Sequence, residues 1–133
     1  MAGSYRDLFA WQKAIALAQH IYELTDSFPR KEMFGLTSQL RRAAVSVPSN
    51  IAEGNGRISR GEWQQFLGYA RGSLLEVETE LTVSNRVKLI SDSQLNAALG
   101  RCTEVGRLLN GLLRASSERA TRKRFSVPDP LTD

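Results

Sequence analysis

Three glutamates in the run EVETEL, Glu76, Glu78 and Glu80, are the residues of this chain whose type and crowding could hold a metal ion. Their spacing argues against it. At 100° per residue Glu76 and Glu80 share a helical face while Glu78 turns elsewhere, and metal chemistry among packed helices needs inward carboxylates with a Glu-x-x-His pattern. The sole histidine, His20, has Leu17 three residues before it. Serine chemistry also fails, because one distant histidine and no glycine-flanked nucleophile elbow leave nothing to activate a hydroxyl. The Gly-Asn-Gly-Arg run at 54–57 reads as a helix stop, since no strand precedes it to build a phosphate loop. Cys102, the single cysteine, falls at helical spacing among leucines and reads as a small core residue. A non-enzyme without cofactor or metal is the expectation.

What remains is polar, small or basic. On the second predicted helix Gln39, Arg42, Ser46, Asn50 and Glu53 form a polar stripe, read as a structural seam in which Arg42, Asn50 and Glu53 share hydrogen bonds. Val45, Pro48 and Ala52 lie roughly opposite that helix's core face, where a lone helical domain would carry charge. On the third helix Gly68 and Gly72, each worth about 1 kcal/mol against alanine in a helix interior, fall away from the core stripe near Leu75 and Val83. These seven residues are the predicted oligomer interface. On the fourth helix Arg107 and Arg114 share a face and lead into Arg119, Arg122, Lys123 and Arg124. That strip reads either as a phosphate grip or as positive charge complementing a helix C-terminus.

The elements that must position these residues follow from hydrophobic spacing. Four segments carry apolar residues three and four apart and none of comparable length alternates, so the class is all-α. The first spans about Arg6 to Asp26, with Leu8, Trp11, Ile15, Ala18 and Tyr22 inward; the second about Lys31 to Glu53, with Leu36, Leu40, Ala43, Val47 and Ile51 inward. The third runs from about Arg60 to Val87 on Trp63, Leu67, Ala70, Leu74, Val77 and Leu81, opened by a Ser59/Glu62 capping box. The fourth runs from about Asp92 to Ser117 on Leu95, Leu99, Cys102, Gly106, Leu109 and Leu113, opened by Ser91/Gln94. Short connections predict an antiparallel up-down-up-down four-helix bundle over residues 1–117. Residues 118–133 read as a basic, proline-containing mobile tail. Pro48 sits inside the second helix, where proline costs roughly 3 kcal/mol. A kinked but continuous helix is expected, with Ser46, Ser49 and Asn50 bonding released carbonyls.

The runs DLFAWQKA, SFPRKEMFGLTSQLRRAAVSVPSNIAEGNGR and YARGSLLEVETEL resemble the bacterial four-helix-bundle proteins encoded in intervening sequences of large-subunit ribosomal RNA. The resemblance spans Asp7 to about Leu113. It implies a homopentamer, as in that family and in the related accessory proteins of diversity-generating retroelements, the latter binding RNA and a reverse transcriptase. It implies no catalytic activity.

Charge and length agree with a binding role. The 133 residues suffice for one domain, and the net charge of +4, with arginine supplying 14 of 18 basic residues, permits nucleic-acid contact without demanding it. No signal pattern and no run of about 18 apolar residues occurs, so a soluble cytoplasmic protein without membrane contact is expected. The expected function is a homopentameric scaffold engaging structured RNA, or an RNA-bound protein such as a reverse transcriptase. The rival is a protein-only adaptor whose charge is incidental.

Overall fold

The computed structural model describes the backbone of residues 3–125 and the side chains of residues 3–117. Among them the fold is all-α: α1 (Phe9–Thr25), α2 (Leu36–Asn55), α3 (Arg60–Arg86) and α4 (Asp92–Phe125), with single 3-10 turns at Tyr5–Asp7 and Arg30–Glu32. Each helix packs on its neighbour in sequence, and α1 also packs on α4. The core they enclose is aliphatic, with Leu17, Ile21, Leu40, Val47, Ile51, Leu67, Val77, Leu81, Val105 and Leu109 fully buried.

Local chemistry sets the helix ends. Ser59 Oγ accepts the Glu62 N–H at 3.1 Å and opens α3. Before α4 the box is reciprocal: Gln94 N–H donates to Ser91 Oγ at 3.1 Å and Ser91 N–H to Gln94 Oε1 at 2.9 Å. α3 ends in a Schellman motif, Leu89 N–H donating to the Ser84 carbonyl at 2.8 Å and Lys88 N–H to that of Asn85 at 3.0 Å. The left-handed residue there is Lys88, at φ 66°, where glycine is usual.

Several expectations are corrected. α1 turns its Ala10, Ala14, Leu17, Ile21 and Leu24 inward, a face about 100° from the predicted stripe; Ile15 and Tyr22 are exposed. The two alanines give α1 a flat side. α2 begins at Leu36, not Lys31, because the chain first makes the Arg30–Glu32 turn and Gly35 takes the N-cap. α4 buries Ala98, Cys102, Val105 and Leu109 fully, while Leu95, Leu99 and Leu113 are only partly covered. Its helix also continues through Phe125, past the predicted end at Ser117.

Pro48 is buried, not outward. It lies about 20° around the helix from Arg41, whose guanidinium donates to Thr25 Oγ1 at 2.9 Å and stacks over Tyr22 at 4.5 Å. That places the proline on the α1 flank, inside the protomer. α2 remains one helix through it. Asn50 Nδ2 donates to the Ser46 carbonyl at 2.9 Å, not to the Ala44 carbonyl that proline leaves without its usual donor.

Candidate nucleic-acid interface and outward face

The outward face of α3 is built by the same periodicity that builds its core. With Leu67, Leu74 and Leu81 facing in, Gly72 and Val83 fall nearly opposite, and Gly68 and Leu75 lie on the flank beside them. Leu75 is 54% exposed and Val83 43%, and a Cβ placed on Gly68 or Gly72 would meet nothing within 4 Å among the described residues. On α2, Val45 is exposed and Ala52 half-buried. The protomer therefore presents apolar and side-chain-free positions to its outside on both helices.

Between the two helices runs a groove lined by Gln39, Arg42, Ser46, Ser73, Glu76 and Glu80. Ser46 and Ser73 share a hydrogen bond at 2.8 Å, and Asn50 Nδ2 also donates to Ser46 Oγ at 3.0 Å. The bonded seam is thus Asn50–Ser46–Ser73 and crosses onto α3. Ser73 and the Glu76/Glu80 pair were missed as its members, since which face of α3 meets α2 is not written in either helix alone. Arg42 and Glu53 make no hydrogen bond or ion pair among the described residues, contrary to the expected sharing. Burial, then the charge of Glu76, pushes the Glu80 carboxyl above its usual range, and its Oε1 is buried without a partner among the described residues.

The basic strip is partly described. Arg107 and Arg114 are exposed on α4. Arg107 shares a groove with Asp7 and Phe9 where α1 begins. Arg119, Arg122, Lys123 and Arg124 lie on the continuing α4 backbone, and their side chains fall outside the described residues. The other chemistry-bearing side chains lie elsewhere. His20 lines a groove with Gln19, Glu23 and Arg101. Burial and the Arg101 charge lower its pKa, against a smaller upward pull from Glu23. Cys102 is fully buried, and burial, with Glu78 adding to it, pushes its thiol up to about 12. At that value it is no nucleophile near neutral pH. No described helix is long and apolar enough to cross a membrane.

The model of one protein family, described as "23S rRNA-intervening sequence protein", matches residues 6–111. Among solved structures, the chain is similar to a protein of unknown function from the S23 ribosomal protein family of Bacteroides thetaiotaomicron. The TM-score is 0.71 at 23% identity, covering 78% of this chain and 97% of that one. At that identity the likeness concerns the fold. No curated protein shows a significant match.

Proposed function

The chain belongs to the 23S rRNA-intervening sequence protein family, and from that premise we propose that it is a non-enzymatic RNA-binding scaffold, an up-down-up-down bundle assembled as a homopentamer. The observation that carries this reading is the outward face of α3. Among the described residues Gly68 and Gly72 leave open space beside exposed Leu75 and Val83, away from the core stripe of the same helix. Such a face stabilises nothing in the protomer and suits close approach by a second copy. Phosphate contact is assigned to Arg107, Arg114 and the basic residues that follow on α4. Five copies of a weak patch on one ring would act together and raise avidity without a new contact.

A protein-only adaptor is the second reading. It draws on Asp7, an acidic residue that lines the same groove as Arg107. Two measurements on one preparation separate the readings. Light scattering should give the mass of five protomers, and RNA should copurify at low salt and leave at high salt. A pentamer free of RNA under both conditions would support the adaptor, and a monomer across a wide concentration range would sink the assembly argument.

A further inference from the structure

At one end of the helical core the start of α1, the end of α2, the start of α3 and the late part of α4 enclose a cavity of about 260 Å³. Buried Trp63 and half-buried Leu8 and Leu112 give it an apolar lining, and exposed Arg57 and Arg60 stand at it. Ser116 also lines it. That residue is only 5% exposed, and its Oγ has no hydrogen-bond partner among the described residues. Buried hydroxyls are normally satisfied, so an unmatched one in a cavity wall marks a place for a ligand atom.

The cavity also meets the N-terminus of α3. The N–H groups of Arg60 and Gly61 belong to the first turn and have no intrahelical acceptor, and among the described residues nothing lies within 4 Å of where a Gly61 Cβ would stand. Backbone donors and the positive end of the helix dipole thus stand beside the exposed, cavity-lining Arg60. Glu62 opposes them, but Arg57 faces it at 3.9 Å and Ser59 donates to its carboxylate at 3.1 Å. Arg60 makes no ion pair among the described residues.

We propose that this cavity binds one nucleoside monophosphate unit. The base packs against Trp63, Leu8 and Leu112, the Ser116 hydroxyl meets a polar edge of the base, and the phosphate sits at Arg60 and the start of α3. The volume lies just below the roughly 300 Å³ where pockets for drug-sized ligands begin, which admits one ring system and excludes a dinucleotide. The unit is either a free mononucleotide or one residue of an RNA strand, and α4, which carries Arg119, Arg122, Lys123 and Arg124, continues directly from Ser116. The site goes beyond the scaffold reading and does not need it.

The test uses Trp63 fluorescence in the full chain carrying Trp11→Phe, which leaves Trp63 the one tryptophan. Adenosine 5′-monophosphate should quench it saturably, and adenosine should bind about tenfold or more weakly for want of the phosphate. Arg60→Ala should weaken the nucleotide by a similar factor. Ala115→Leu, at an exposed cavity-lining position, should abolish binding while circular dichroism shows an unchanged fold. A five-residue adenylate strand that binds tighter than the mononucleotide assigns the unit to RNA, and one that binds more weakly assigns it to the free nucleotide. Absence of saturable quenching at millimolar nucleotide, or affinity unchanged in both variants, overturns the proposal. Ala115→Leu leaves the α4 arginines in place, so RNA retention through that strip is read separately from nucleotide binding.

Discussion

Gly54→Ala is the sharpest test of how α2 meets α3. An added Cβ would stand 2.7 Å from Phe66 Cβ and 2.9 Å from Trp63 Cε3, against the 3.5–4.0 Å at which carbon atoms attract. Phe66 Cβ is anchored to its own backbone and cannot rotate away, so the end of α2 must move by most of an ångström. Overpacking of this kind costs about 1–3 kcal/mol. Alanine returns up to about 1 kcal/mol in helix propensity, which leaves a net loss centred on about 1 kcal/mol, or roughly 3–5 °C in melting temperature for a domain of this size. Thermal unfolding followed by circular dichroism reads it directly. A variant as stable as the parent would show that the α2–α3 contact is looser than these distances require.

Three further outcomes follow from single positions. Lys88→Gly relieves the left-handed φ of the α3 C-cap and should stabilise the fold by about 0.5–1 kcal/mol, measured by urea unfolding; a loss of stability would contradict the Schellman reading. Gly72→Leu should lower the oligomer mass in light scattering while helix content holds, and an intact oligomer would show that this face is free. Because Glu80 binds its proton more tightly in the folded chain than at its ordinary value, stability should fall as pH rises through the window above that value. Glu80→Gln should therefore raise the melting temperature at pH 7 and leave it unchanged at about pH 3, whereas an equal effect at both would remove titration as the cause.

The α3 core stripe was legible because Trp63, Leu67, Leu74 and Leu81 recur without a competing pattern, and all of them are buried. α1 was misread for a physical reason. It carries two apolar stripes one residue apart: of the predicted one, Leu8, Trp11 and Ala18 pack against the edge of the core, while Ile15 and Tyr22 are exposed and the alanine-bearing stripe takes the centre. α4 was cut short because the basic residues after Ser117 lack inward leucines, yet a helix already started extends at little cost per residue. Pro48 looked outward by angle, but α2 is flanked on two sides, and the α1 flank reaches as far as Arg41 and Pro48. The cavity at Trp63 and Ser116 was invisible in the sequence because its lining comes from four separate segments.

The central claim, that the α4 basic strip grips RNA, is tested most directly by the salt dependence of binding. The parent protein should lose affinity with a log-log slope of about −0.7 to −0.9 per phosphate neutralised. Neutralising Arg119, Arg122, Lys123 and Arg124 together should make that slope shallower, with the oligomer intact and residual affinity from Arg107 and Arg114. A slope and affinity unchanged in the four-site variant, or a parent protein that binds no RNA at low salt, would contradict the account.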